Sequence, residues 1–184
     1  MRLEEKCTSS KLIYEGKVVK LFEDEIELPN GAPARREYVR HVGAVCVLPL
    51  TDDGNVVMER QFRYPFGKIL VEIPAGKLND ANEDPTLAAL RELREETGIV
   101  PQSMTHLGDF IGSPAILGER VSMFLARGLS FCEQQLDEDE FLEVFTMPLE
   151  DAVKKVLSGE ITDGKTQAAV LKTHIILQKE GKKS

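Results

Sequence analysis

The stretch from Gly76 to Ile99 constrains the fold more than any other part of this 184-residue chain. It opens as a polar loop led by a glycine, Gly76-Lys77-Leu78-Asn79-Asp80-Ala81-Asn82-Glu83, and then reads as a helix. Asp84 is placed to cap that helix with its side chain. Pro85 suits the first helical position, where an N–H would find no partner anyway, and Gly98 can take the left-handed conformation that ends it. Glu92, Glu95 and Glu96 share one wall, and Leu87, Leu90 and Leu93 are expected opposite them as the core-facing side. Like charges at this spacing cost about 0.2–0.5 kcal/mol per pair unless something neutralises them. Hard divalent cations do so, and they take oxygen ligands of this kind. On periodicity alone the wall would be ordinary solvent-facing charge, so the metal reading depends on how many neighbouring positions are specified with it.

Elsewhere the chain alternates strands with a few helices. Lys17 to Leu28 shows the partial alternation of a strand with one wet face, ended by the turn Pro29-Asn30-Gly31. Gly43 to Leu50 is a continuous apolar run of buried-strand type, and Asp52-Asp53-Gly54-Asn55 is expected to return it as a hairpin into Val56–Phe62. Leu70 to Pro74 leads into the glycine loop. Strands are expected over Met104–Phe110, Arg120–Ala126 and Glu143–Met147. Helices are expected over Leu149–Leu157 and Lys165–Gln178, the latter entered through Thr162-Asp163-Gly164. The expected class is α/β, a mixed sheet with flanking helices.

A hydrophobic content of 42% over this length supports one good core, and the net charge of −8 argues against nucleic acid or an anionic membrane as the main partner. An anionic substrate would have to be held by local arginines and bound metal. Cys7, Cys46 and Cys132 are odd in number and lack metal-type spacing, so they are expected to be reduced, buried thiols. The N-terminal residues have no signal-peptide core and no run of about 18 apolar residues occurs, so the expectation is a cytoplasmic protein with no membrane partner.

From Glu83 onward the segment matches every fixed position of a known signature: seven residues to Arg91-Glu92, then Leu93, Arg94, Glu95-Glu96, Thr97, Gly98 and Ile99. It resembles the Nudix box, the mark of hydrolases acting on a nucleoside diphosphate linked to another moiety. One departure lies in the loop, where six residues rather than five separate Gly76 from Glu83. We read this as a loop insertion that leaves the helical half intact. The flanks Gln61-Phe62-Arg63-Tyr64-Pro65, Leu70-Val71-Glu72-Ile73-Pro74-Ala75-Gly76 and Gly112-Ser113-Pro114 resemble the ADP-ribose pyrophosphatase branch, with Pro114 sixteen positions beyond Gly98. The resemblance covers roughly residues 40 to 150.

The resemblance implies the Nudix fold, an α/β/α sandwich with a mixed sheet, preceded by an N-terminal β segment. It implies one domain over 1–184, with 1–40 a dimerisation element and 41–184 the core. It further implies a homodimer whose N-terminal strands reach the partner's site. The implied metal ligands are the Ala75 carbonyl, Glu92, Glu95, Glu96 and Glu140, holding magnesium or manganese. Glu95 reaches the metal directly or through water, and is also counted as catalytic. Glu138 is the implied general base, and the roles of Glu138 and Glu140 can exchange because loop carboxylates align poorly. Arg63 is the candidate phosphate clamp, Glu72 an acceptor for a sugar hydroxyl, and Pro114 a substrate-side marker. Glu83 and Arg91 are a structural pair tying loop to helix. The implied reaction is hydrolysis of ADP-ribose or a related nucleoside diphosphate sugar to a nucleoside monophosphate and a sugar phosphate. Broad GDP- or UDP-sugar or dinucleotide hydrolysis is the near alternative, and a non-catalytic ADP-ribose sensor the distant one.

Overall fold

The computed structural model describes residues 3–182 apart from positions 137 and 139. The chain divides into two units, Met1–Gly43 with Ile111–Arg120, and Ala44–Phe110 with Val121–Ser184. A ten-residue excursion from the middle of the chain, Ile111–Arg120, thus groups with the N-terminal residues.

The N-terminal unit is an antiparallel sheet of β1 (Lys6–Glu15), β2 (Lys20–Glu27) and β3 (Pro33–Arg40), in that order. Where the sequence reading expected one strand over Lys17–Leu28, the first forty residues form three. The excursion docks on β3, where the Val39 N–H donates to the Ile116 carbonyl at 2.8 Å and the Gly118 N–H to the Val39 carbonyl at 2.9 Å. Phe22 stacks on Tyr38 with 5.9 Å between ring centroids, and the Arg40 guanidinium lies 3.8 Å over the Phe22 ring. Every residue of β1 is exposed within the single chain.

Among the described residues, the larger unit holds two sheets, three α-helices and a short 3-10 turn at Tyr64–Phe66. One sheet runs β7 (Ala75–Lys77), β4 (Ala44–Pro49), β9 (Val121–Phe131), β8 (Ile99–Phe110). The other runs β10 (Leu142–Pro148), β5 (Asn55–Arg63), β6 (Lys68–Glu72). The β4–β9 pair is parallel and the other pairs are antiparallel, so the first sheet is mixed. Period-two alternation along β4 assigns the layers. Val45 and Val47 join Ala88, Ala89 and Leu93 of α1 (Pro85–Thr97) on one face. Cys46 and Leu48 join Leu149, Ala152 and Val153 of α2 (Leu149–Ser158) and Ala169 and Val170 of α3 (Gly164–Gly181) on the other. This is the α/β/α sandwich, and β4 reads as unbroken hydrophobic because both its faces are covered.

Three sequence expectations give way here. The Asp52–Asn55 turn does not close a hairpin: apart from one isolated Leu50–Val56 bridge, β4 and β5 go to different sheets, and the turn carries the chain from one to the other. Leu87 is 64% exposed, and the buried side of α1 is Ala88, Ala89, Leu93 and Glu96. The carboxylate wall therefore adjoins the core face, and the two alanines are small enough to bring the helix close to the sheet. Finally, only Cys46 is a buried thiol, pushed up to about 12 by its burial, whereas Cys7 and Cys132 are exposed.

Candidate active site

The helix boundaries are made as expected. Asp84 accepts from the N–H groups of Thr86 at 2.8 Å and Leu87 at 3.1 Å, a cap whose loss costs about 1 kcal/mol. At the other end Gly98 has φ +69°, and a Cβ there would lie 2.2 Å from the Cys132 carbonyl oxygen. The helix carbonyls left over at this end are taken up by an incoming strand of chain. The Cys132 N–H donates to Gly98 at 2.7 Å, the Gln135 N–H to Glu95 at 2.9 Å, and the Gln134 side-chain amide to Glu96. The acidic loop that follows is thus moored to the C-terminus of α1.

Ala75 and Gly76 run beneath α1. The Ala75 N–H donates to Glu96 Oε2 at 2.9 Å. A Cβ on Gly76 would fall 2.0 Å from the Glu92 carboxyl carbon, so glycine leaves the room in which the Glu92 carboxylate lies. Arg91 is the local counter-ion, with Nη1 donating to Glu92 at 2.7 Å and to Glu95 at 3.1 Å, and Nε to Glu83 at 3.4 Å. Glu83 and Arg91 therefore form the expected tie between loop and helix, and Arg91 reaches further than expected into the carboxylate wall.

Charge is poorly balanced on this wall. Burial, then the neighbouring Glu59 and Glu92, raises the Glu96 carboxyl well above the ordinary range. Burial also raises Glu92, opposed by Arg91. Glu59, on β5, is fully buried, and neither of its carboxylate oxygens has a hydrogen-bond partner. Its carboxyl is raised by burial and by Glu72, opposed by Lys165 and Arg63.

The opposite situation holds around Arg63. Its Nε and Nη2 donate in parallel to Glu72 at 2.6 and 3.0 Å, the bidentate geometry of a strong pair. Lys165 Nζ also donates to Glu72 and lies 3.1 Å from Asp163. Burial would raise Glu72, but the Arg63 hydrogen bond and the Lys165 charge outweigh it and hold the carboxyl below its usual range.

A cavity of about 490 Å³ gathers Arg63, Ala75, Arg91, Glu92, Glu95 and Glu140 among its lining residues. Glu138 stands exposed in a turn of the same loop and Glu96 is buried beneath. Pro114 belongs to the N-terminal unit, where it borders a hollow with Glu5, Arg36 and Tyr38.

A domain model described as NUDIX domain matches residues 39–168, and one described as nucleoside diphosphate sugar hydrolase N-terminal domain matches residues 5–39. The chain belongs to the Nudix hydrolase family. It is 48% identical over 170 residues to the ADP-ribose pyrophosphatase of Bacillus subtilis (strain 168), with 91% of each chain covered. It is 45% identical over 169 residues to the methanol dehydrogenase activator of Bacillus methanolicus, again with 91% of each covered. A crystal structure of an ADP compounds hydrolase shares the fold at a TM-score of 0.86 and 19% identity, covering 98% of both chains.

Nudix hydrolases generally use a divalent metal. Among the described residues, no three Asp, Glu, His or Cys side chains converge tightly enough to cage an ion as they stand. Arg91 draws Glu92 and Glu95 toward itself, and Glu96 turns to the Ala75 N–H. The donor set nevertheless fits a hard cation. All the donors are oxygens, the Nudix wall is short of positive charge, and beside it Glu59 keeps two buried oxygens without a partner.

Two residues of this environment, Glu59 and Lys165, are absent from the sequence-based set. Glu59 was signalled only by a carboxylate following the apolar run Val56-Val57-Met58. Lys165 carried no signal at all, since its partner Glu72 lies 93 positions away.

Proposed function

We propose that this Nudix hydrolase cleaves the pyrophosphate of ADP-ribose, adding water across the P–O–P linkage to release AMP and ribose 5-phosphate. One arrangement carries the reading: a guanidinium and a bank of under-neutralised carboxylates line the same cavity, as binding a diphosphate together with cations requires. The high identity to the Bacillus subtilis ADP-ribose pyrophosphatase supports the choice of substrate. The Ala75 carbonyl, Glu92, Glu95, Glu96 and Glu140 would hold magnesium, or manganese in its place. Bound there, the ions would supply charge neutralisation of the diphosphate and a more acidic water. Arg63 engages a phosphate oxygen, and Glu138, on the loop moored to α1, takes the proton of the attacking water. Glu72 orients Arg63 through their paired hydrogen bonds and is also proposed, on the resemblance, as an acceptor for a sugar hydroxyl.

We place the homodimer contact on the N-terminal sheet, where Leu12, Ile13 and Tyr14 of β1 are 42–59% exposed in the single chain. Pro114, in the same unit, is assigned to the substrate side on the resemblance alone. A cytoplasmic location accords with a small-molecule substrate, and among the described residues no helix is long and apolar enough to cross a membrane.

The test is a substrate panel of ADP-ribose, ADP-glucose, GDP-mannose, UDP-glucose and dinucleotides, with magnesium and then manganese. ADP-ribose is expected to give the highest kcat/KM, with AMP and ribose 5-phosphate as products. Preference for GDP-mannose or a dinucleotide would overturn the substrate assignment. Identity to the Bacillus methanolicus activator favours a second reading, action on a dehydrogenase, which adding this enzyme to a methanol dehydrogenase assay checks directly.

A further inference from the structure

We propose that Lys165, at the start of α3 and outside every motif of the family signature, is a positioning residue that sets the orientation of Arg63 toward the substrate diphosphate. The inference rests on the reading of Arg63 as the phosphate clamp.

Glu72 is the hinge of the argument. Its side chain is 2% exposed, and its two oxygens serve three donors: Oε1 takes Arg63 Nε, while Oε2 is shared between Arg63 Nη2 and Lys165 Nζ. The remaining Arg63 nitrogen, Nη1, makes no hydrogen bond to the described protein, and Arg63 lines the cavity. A guanidinium gripped along one edge presents the other in a fixed plane, which is the geometry that phosphate recognition needs.

Arginine alone would leave one oxygen of this buried carboxylate with a single donor and free to turn. Lys165 takes a second hold on Oε2 and is balanced in turn by Asp163, so Glu72 stays fixed against Arg63. Lys165 is itself held firmly. Asp163 lies 3.1 Å from its Nζ, and the same Asp163 caps α3 by accepting from Thr166 N at 2.9 Å and Thr166 Oγ1 at 2.6 Å. Thr166 Oγ1 in turn accepts the Ile73 N–H at 3.0 Å, one residue beyond Glu72. The start of α3 and the end of β6 are thus fastened at two adjacent points, and Lys165 is one of them.

The experiment is a double-mutant cycle with Lys165→Met and Glu72→Gln, alongside Lys165→Arg and Arg63→Ala, in steady-state kinetics on ADP-ribose with magnesium and folding checked by thermal melts. Lys165→Met is expected to raise KM roughly 10-fold with kcat changed by less than about 3-fold, because what is lost is binding of the diphosphate. Lys165→Arg should restore KM to within about 3-fold of the parent, since the positive charge returns. Glu72→Gln/Lys165→Met should be no worse in KM than Glu72→Gln alone, the non-additivity expected when one residue acts through the other. This last comparison decides the matter even if Lys165→Met fails to fold. An unchanged KM in a folded Lys165→Met enzyme, or a double variant worse than Glu72→Gln, overturns the inference. If Arg63→Ala raises KM and Lys165→Met does not, the Lys165 inference alone falls. If Arg63→Ala leaves KM unchanged, the clamp assignment falls with it.

Discussion

Two groups of charged residues flank the same cavity and are built on opposite principles. Around Glu72 the charges are closed: Arg63, Lys165 and Asp163 satisfy one another at hydrogen-bond distance, and the carboxyl is held low. Around Glu96 they are open: Arg91 is stretched over three glutamates, Glu96 is raised, and the neighbouring Glu59 has no hydrogen-bond partner among the described residues. Burying an ion is costly in both places, so the difference lies in what offsets the cost. The closed group offsets it within the protein and gains rigidity. The open group leaves it standing, which is useful only where a cation arrives to complete the set.

The contrast breaks most visibly at Glu96. Glu96→Gln removes a carboxylate from the open group, and turnover should fall by about 10³-fold or more, the scale of the transition-state charge stabilisation that metal ions supply. If the group is truly short of positive charge, the same substitution should also raise the melting temperature of the metal-free protein, because a buried acid is replaced by a neutral amide. Full activity, or a metal-free protein less stable than its parent, would contradict the open description.

Gly76→Ala probes the same wall from below. A methyl group there would lie 2.0 Å from the Glu92 carboxyl carbon, so the carboxylate must move. Activity should drop roughly 10- to 100-fold, the cost expected when a ligand is displaced by about an ångström, while the fold survives. Manganese titration followed by electron paramagnetic resonance should register weaker binding. Unaltered manganese affinity would mean that Glu92 is not held where metal binding needs it.

The closed group yields a smaller, pH-dependent effect. Glu72 is held below its ordinary value of 4.5 in the folded state. It therefore contributes stability that is fully present above that value and is lost as the pH falls through its lowered folded value. Glu72→Gln should be less stable than the parent at neutral pH, and the gap should narrow as the pH drops below 4.5. Parallel denaturant melts at several pH values measure it. A gap that stays constant into acid would show that the Glu72 charge contributes nothing.

The two groups also differ in how far they could be read without coordinates. The open group lies almost wholly in one local segment, where capping chemistry at Asp84, Pro85 and Gly98 and the fixed spacing of Glu92, Glu95 and Glu96 speak for themselves. Which side of α1 meets the sheet was not legible, because Leu87 and Leu90 look like a core stripe until the sheet takes the alanine side. The closed group is assembled across 93 residues, from β6 to α3, and nothing local marks Lys165 as the partner of Glu72. Strand order was hidden for the same reason: the turn after β4 has hairpin composition, yet β4 pairs in parallel with β9.

The smallest effect is expected where the sequence departs from the family pattern. The loop from Lys77 to Asn82 is one residue longer than usual, but Glu83 still reaches Arg91 at 3.4 Å and accepts the Asn79 N–H at 2.5 Å. The surplus is taken up in a tight turn, where Asp80 receives the Asn82 N–H at 2.7 Å and the Glu83 N–H donates to the Asp80 carbonyl at 3.3 Å. That turn is exposed and lies outside the contacts of Gly76 and Arg91 with the carboxylate wall. Deleting Ala81 should therefore change kcat/KM by less than about 3-fold, since loop-length changes of one residue carry little entropic cost. A loss comparable to that of Gly76→Ala would mean that the longer loop itself sets the position of Glu83 and, through Arg91, of the open group.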